Sequence, residues 1–119
     1  METTKIVYNA CFGGFGLSMA AMKRYAELAG YNFEIKESSI SGLDYYEMTD
    51  KNGEDIFESD IRRDDPLLVQ VVEELDNEAD TQFSELCIRE LPKGTKYRID
   101  EYDGLETVMT IDEYEWLVA

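Results

Sequence analysis

The fold is decided by the stretch Lys5-Ile-Val-Tyr-Asn-Ala-Cys-Phe-Gly-Gly-Phe-Gly-Leu-Ser18. Residues 4–10 are rich in β-branched and aromatic side chains, which predicts a strand. Residues 11–16 form a glycine-rich loop, and Ser18 is a suitable N-cap for a helix over residues 19–29. A strand, a loop and a capped helix in this order predict a domain that contains both α and β structure.

The segment after this helix predicts a second strand. Gly30 is a natural helix stop, and Tyr31, Phe33 and Ile35 alternate with polar residues, as in a half-buried strand. Strand, helix and strand in succession indicate either a right-handed βαβ unit or two antiparallel strands spanned by a helix.

The middle of the chain predicts a hairpin followed by a second helix. Residues 44–48 and 54–57 flank Asp50-Lys-Asn-Gly53, and an Asn-Gly pair is a strong turn signal. Asp65 is a suitable cap for the second helix, and Pro66 suits its first position. These residues place a turn and a helix start at defined positions.

The last third predicts a β-meander, with strands at 86–91, 96–102 and 105–109. Asp103-Gly104 is a hairpin turn between the last two strands. Thr110-Ile-Asp-Glu113 has the capping-box spacing and predicts a short terminal helix, with a final strand as the alternative. The whole pattern predicts a single α+β domain over residues 1–119, with a mixed or antiparallel sheet, two main helices and the C-terminal β-meander.

Charge restricts the partners that the chain can take. The sequence has 27 acidic and 11 basic residues, a net charge of −16. A surface of this sign repels nucleic-acid phosphates and anionic membranes, so we expect neither as a partner. The simplest explanation for the excess of acidic residues is that it keeps the chain soluble. The alternative is an acidic face that binds a basic protein, for example by imitating nucleic acid.

Histidine is absent from the sequence. Its absence removes the commonest general base at neutral pH, the Ser-His and Cys-His dyads, and the usual zinc and non-haem iron ligand sets. We therefore predict a non-enzymatic protein with no catalytic residue, no metal and no cofactor.

The predicted location is a reducing cytoplasm. Cys11 and Cys87 lie far apart without C-x-x-C spacing, which is not a secreted disulfide framework. No stretch approaches ~18 consecutive apolar residues, and no long apolar region follows Met1-Glu-Thr-Thr-Lys5. We therefore expect neither a membrane span nor a signal peptide.

The glycine-rich loop is the first candidate ligand site. Glycines let a backbone approach a ligand closely, and N–H groups at a helix start attract anions. The loop lacks the ending of a Walker A motif and the third glycine of the dinucleotide fingerprint, and the alternative is a tight turn whose phenylalanines fill the core. Cys11 near the helix start could be a reactive thiol, but a buried, inert cysteine is the favoured alternative. The predicted site residues are Asn9, Cys11, Phe12, Gly13, Gly14, Phe15, Gly16 and Ser18.

Asp60-Ile-Arg-Arg-Asp-Asp-Pro66 is the second candidate. Arg62 and Arg63 are predicted to clamp a phosphate or carboxylate, because guanidinium groups bind such anions in a bidentate way. The neighbouring aspartates could instead hold Mg²⁺, and the plain alternative is helix capping and neutralisation of nearby acids. A third candidate is the acidic run Asp100-Glu-Tyr-Asp-Gly-Leu-Glu106, which could meet a basic partner or form a solvated hairpin tip.

Three segments resemble a family of small phage and prophage proteins, for which no activity, cofactor or site is established. They are Lys5-Ile-Val-Tyr-Asn-Ala-Cys-Phe-Gly-Gly-Phe-Gly-Leu-Ser18, Arg63-Asp-Asp-Pro-Leu-Leu-Val-Gln-Val-Val-Glu-Glu-Leu75 and Ile99-Asp-Glu-Tyr-Asp-Gly-Leu-Glu106. The resemblance transfers no site residue. It implies a phage-encoded protein that acts in the cytoplasm of a bacterial host, a setting in which small accessory proteins bind host factors or sequester signalling molecules.

Three functions follow as hypotheses. The first is a non-enzymatic phage accessory protein that binds or sequesters a host protein or a small anionic, nucleotide-like ligand and counters host defence. The second is an acidic DNA mimic that inhibits a nucleic-acid-binding host protein. The third is a carboxylate- and metal-dependent phosphoesterase, which requires acids that converge in a cleft. Assembly into a homo-oligomer stays open.

Overall fold

A computed structural model describes residues 2–37 and 44–110. The strands are β1 (Thr3–Asn9), β2 (Asn32–Glu37), β3 (Asp44–Thr49), β4 (Leu86–Pro92), β5 (Tyr97–Tyr102) and β6 (Leu105–Thr110), and the helices are α1 (Met19–Ala29) and α2 (Pro66–Leu75). Short 3₁₀ turns at Glu58–Asp60 and Asp76–Ala79 flank α2. Over these residues the fold is the predicted α+β arrangement, with two helices, antiparallel strands and a C-terminal meander.

Both predicted helices are confirmed, because their end signals are local. The Ser18 hydroxyl accepts a hydrogen bond from the Ala21 N–H, and Gly30 ends α1 in the left-handed region at φ 76°. The Asp65 carboxylate caps α2, with Pro66 in its first turn.

The predicted pairing of the first two strands is wrong. β1 pairs antiparallel with β4, and β2 pairs antiparallel with β3. The other edge of β1 is already occupied, because the Val7 N–H donates to the Arg63 carbonyl at 2.9 Å and the Asn9 N–H donates to the Glu106 carboxylate at 2.9 Å. Neither edge of β1 is therefore free to pair with β2.

The predicted middle hairpin is present only near its turn. The Asp50 N–H bonds the Glu54 carbonyl at 2.9 Å, and the Ile56 N–H bonds the Met48 carbonyl at 2.8 Å. The chain then leaves β3 at Phe57, so the second arm is a short bridged segment rather than a full strand. The longer partner of β3 is β2.

The core lies on both faces of β1. Successive residues of a strand point to opposite faces, and Ile6 and Val7 are both fully buried. Val7 packs in the main cluster with Met22 of α1 and Leu68 of α2, whereas Ile6 packs with Leu91, Val108 and partly buried residues of β5. Each large buried side chain contributes about 1.5–3 kcal/mol. The β1–β4 pair thus separates the helices from the β5–β6 hairpin.

Within the described ranges, neither α1 nor α2 is long and apolar enough to cross a membrane. The predicted terminal helix, which the capping-box spacing places beyond Thr110, lies outside the described residues.

Candidate functional site

Asn9 ties three separate loops together at the end of β1. Its side chain is fully buried, and its amide donates to the carbonyls of Cys11 and Gly104, each at 2.7 Å. Its side-chain oxygen accepts from the Glu85 N–H at 2.8 Å. A buried amide with these bonds is satisfied internally, so Asn9 fixes the loop cluster rather than offering free groups to a ligand.

Two glycines allow the same loops to touch through their backbones. A β-carbon on Gly13 would overlap the carbonyl oxygen of Phe83. A β-carbon on Gly104 would overlap the backbone of Gly14 and lie 2.5 Å from the carbonyl oxygen of Phe12. The glycine-rich loop is therefore in contact with residue 83 on one side and with the β5–β6 turn on the other.

The start of α1 already holds an internal carboxylate. The Leu17 N–H donates to the Glu58 side chain, and the Ser18 N–H donates to the Ala79 carbonyl at 2.9 Å. Gly16 lies against Thr81 and leaves little room there for a side chain. Glu58 therefore places a negative charge close to the helix N-terminus, so an external anion there would meet a like charge.

Arg63 is partly buried, with its guanidinium turned toward the protein. Its guanidinium makes two hydrogen bonds to the Glu106 carboxylate, at 2.6 and 2.8 Å, and Glu106 is only 8% exposed. The guanidinium carbon lies 3.5 Å from the centre of the Phe15 ring, a cation–π geometry. The bidentate geometry predicted for a ligand is present, but the carboxylate comes from β6.

Arg62 is not part of this cluster. Its side chain is 79% exposed and makes two hydrogen bonds to Asp64, at 3.0 and 3.2 Å. The sequence predicted that Arg62 and Arg63 bind one anion together. In the structure Arg62 points to solvent, whereas Arg63 points toward the protein. Anion binding by these arginines and by the glycine-rich loop stays a prediction.

The cysteines are separate and reduced in this structure. The Cys11 thiol donates to the Phe83 carbonyl at 3.1 Å, which adds another contact between the two loops. Burial raises the pKa of the Cys87 thiol, and Glu85 adds to that shift. A raised pKa disfavours the nucleophilic thiolate at Cys87.

Three exposed aromatic residues lie on the segments that meet at Asn9: two are on loops, and Tyr102 is at the end of β5. Phe12, Phe83 and Tyr102 are 64%, 62% and 73% exposed. We call these three residues the aromatic patch. The alternative that both loop phenylalanines fill the core is wrong for Phe12, whereas Phe15 packs on the main cluster.

Acidic residues flank the aromatic patch. Glu85, Glu101 and Asp103 are exposed and lie within two residues of Phe83 or Tyr102 in the sequence. The acidic run around Tyr102 was a candidate from the sequence, and the structure brings it against the glycine-rich loop. Phe83 was missed, and its signal was a phenylalanine in the otherwise polar segment 80–85.

Within residues 2–37 and 44–110, no group of three or more acids or cysteines is placed to hold a metal ion. Comparison with known proteins finds no matching protein-family model, no matching curated protein and no matching solved structure.

Proposed function

We propose that this chain is a non-enzymatic binding protein whose aromatic patch engages a basic surface of a partner protein in a bacterial host. The observation that carries the proposal is the exposure of Phe12 and Phe83 on two loops and of Tyr102 at the end of β5, on segments whose backbones are in close contact. Aromatic side chains dominate the binding energy of protein interfaces, and exposed apolar groups gathered in one place mark interaction sites.

Preorganisation supports this reading. The loops are held by the buried Asn9 side chain, by the Gly13 and Gly104 contacts, and by the Arg63–Glu106 pair. A partner that docks on rigid loops does not have to order them, so more of the contact energy appears as affinity. A fixed backbone beneath exposed aromatic rings is therefore an arrangement suited to binding.

The charge pattern selects a basic partner. The exposed acids Glu85, Glu101 and Asp103 lie within two residues of Phe83 or Tyr102 in the sequence, and the whole chain carries a net charge of −16. Arginine and lysine side chains of a partner can stack on aromatic faces while their charged groups meet the carboxylates. The same charge accelerates encounter with a basic protein.

The same geometry supports a protein partner over a small anion. Arg62 and Arg63 each already bind a carboxylate of this chain, and Glu58 binds the Leu17 N–H just before α1. A nucleotide-like ligand would have to displace these internal acids and approach against the overall charge. Sequestration of a host protein, as the phage resemblance implies, is therefore the proposed form of the activity.

Site-specific photocrosslinking tests the proposal. A benzoylphenylalanine placed at Phe83 in bacteria should give one discrete cross-linked protein with a basic surface. The same group at Ile35, which is 53% exposed on β2 and away from the loop cluster, is the control and should not capture that protein.

Two results would contradict the proposal. One is a nucleotide or other small anion retained in native mass spectrometry, with no protein captured at Phe83. The other is a captured partner whose binding disappears with added salt but is unaffected by alanine at Phe12, Phe83 and Tyr102. That second pattern would favour the DNA mimic, because its attraction is electrostatic.

A further inference from the structure

The two edges of β3 differ in how far they are paired. β2 pairs with β3 along its whole length, from Asp44 to Thr49. On the opposite edge, the Ile56 N–H bonds the Met48 carbonyl at 2.8 Å, and Asp55 bridges Thr49. Only the last residues of β3 are therefore covered on that edge.

The covering segment departs because the chain turns at residue 57. The Phe57 N–H donates to the Asp60 carboxylate at 2.8 Å, which closes the 3₁₀ turn Glu58–Asp60. Backbone groups two residues apart on a strand point to the same side, so the N–H and C=O of Tyr46 face the same edge as the Met48 carbonyl. No described residue continues the pairing there.

A groove of about 470 Å³ lies at this open edge. Met48 and Ile56 are among its apolar residues, and Phe57, which is 62% exposed, also lines it. Glu47 and Asp55 are its acidic lining residues. Unpaired strand groups beside a groove with both apolar and acidic side chains are an arrangement that can bind an extended peptide as an added strand.

We propose that an extended, basic segment of a partner protein adds to the open edge of β3 as a strand and places its side chains in this groove. Hydrogen bonds to Tyr46 would give the pairing, and alternate side chains would reach Phe57 and the acidic residues. The site is separate from the aromatic patch and does not depend on the proposed function.

Charge identifies the occupant as basic. Asp55 and its neighbour Glu54 form no ion pair with any described residue, whereas Glu47 binds Lys36 at 2.8 Å. Lysine or arginine side chains would neutralise these acids. A second copy of this chain is disfavoured, because it would place acidic residues against each other and bring together two molecules of net charge −16.

A synthetic peptide of alternating lysine and valine is the probe, with binding followed by fluorescence anisotropy of a labelled end. Two peptides serve as controls: one with glutamate in place of lysine, and one with the same charge but with proline at alternate positions. The lysine–valine peptide should bind, and the glutamate peptide should not. The proline peptide should bind at least about tenfold more weakly, because proline cannot donate to a strand.

Protein variants locate the site. Asp55→Lys should weaken the lysine–valine peptide by about tenfold, since an attractive charge becomes repulsive. Amide hydrogen exchange should show the Tyr46 N–H protected by the peptide. Glu78→Lys, at an exposed position outside the groove, makes the same change in net charge and should leave peptide binding unchanged, so a loss specific to Asp55→Lys places the site at the β3 edge.

The inference is overturned if the proline peptide binds as tightly as the lysine–valine peptide, because the attraction would then be electrostatic alone. It is also overturned if Asp55→Lys leaves the affinity unchanged, or if sedimentation shows a dimer that protects the Tyr46 N–H without peptide. In that last case the occupant of the edge is a second copy of this chain.

Discussion

Two ion pairs of this molecule have similar chemistry and opposite surroundings. Arg63 and Glu106 meet where β1, β6 and the glycine-rich loop converge, with side chains 24% and 8% exposed. Lys36 and Glu47 meet across the β2–β3 pair, with side chains 41% and 51% exposed. The first pair joins elements that are distant in the sequence, whereas the second connects two adjacent strands.

The contrast between the two ion pairs shows that charge alone does not identify a residue that faces a ligand. Arg63 has the bidentate geometry of an anion site, yet its anion is Glu106 of the same chain. A desolvated pair of this kind is costly to bury, but breaking it destabilises strongly, because removal of one partner leaves an uncompensated buried charge. An exposed pair is screened by water and contributes little.

Breaking the Arg63–Glu106 pair should cause the largest loss of stability. Arg63→Met leaves the Glu106 carboxylate buried without its cation and should reduce the free energy of unfolding by about 3–5 kcal/mol. Arg63→Met with Glu106→Gln should be more stable than Arg63→Met alone, because no charge is then left unpaired. Urea unfolding followed by circular dichroism measures both.

Arg62→Met is the matched control for that experiment. The Arg62 side chain is 79% exposed and paired only with Asp64, so its loss should leave the unfolding midpoint unchanged within error. Equal destabilisation by Arg62→Met and Arg63→Met would contradict the contrast between a buried and an exposed arginine.

Replacing a glycine that holds the loop cluster together should cause the second-largest loss of stability. Gly104 and Gly53 both have left-handed backbones, at φ 89° and 84°, but only Gly104 lies against another backbone. Gly53→Ala should cost about 1–2 kcal/mol for the backbone conformation alone. Gly104→Ala should cost about 2–5 kcal/mol, because overpacking against Gly14 is added. Similar losses in thermal unfolding would mean that the loops are not in close contact.

The fold was predictable wherever its signal was local. Ser18, Gly30 and Pro66 mark helix ends through their own geometry, and Asp103-Gly104 marks a turn in the same way. Strand pairing was not predictable, because β1 meets β4 across most of the chain and the alternation within a strand does not say which strand is its partner.

The candidate site was predictable only in part for the same reason. The acidic run at Tyr102 and the glycine-rich loop were each identified, but nothing in the sequence shows that Gly104 rests on Gly14. The partner of Arg63 was hidden, since Glu106 lies in a distant strand and many other acids were available. Long-range contacts decide which charges are internal.

A buried tyrosine adds a pH-dependent test to the comparison. The Tyr25 hydroxyl donates to Asp65 at 2.6 Å, and burial together with this bond raises the pKa of Tyr25 well above its ordinary value. A raised pKa in the folded state contributes stability below the unfolded pKa of about 10, which is lost as the pH rises above it.

Tyr25→Phe should therefore flatten the loss of stability above about pH 10, and should cost about 1–3 kcal/mol at neutral pH through the lost hydrogen bond to a charged group. Urea unfolding of both proteins at neutral and alkaline pH measures the difference. Parallel pH curves for Tyr25→Phe and the original chain would show that ionisation of Tyr25 is not linked to unfolding.

Breaking the exposed Lys36–Glu47 pair should cause the smallest loss of stability. Lys36→Ala removes the bond to Glu47 but leaves both groups accessible to water, so the unfolding midpoint should not change measurably. A loss comparable to that of Arg63→Met would remove the distinction between the two ion pairs.

The affinity of the captured partner for Phe83→Ala and for Ile35→Ala tests the central claim most directly. Both side chains are more than half exposed, but only Phe83 belongs to the aromatic patch. We predict that Phe83→Ala weakens binding by about 30-fold or more, as expected for a hot-spot residue, while Ile35→Ala does not change it. Equal affinities of the two variants, with both proteins folded, would contradict the account.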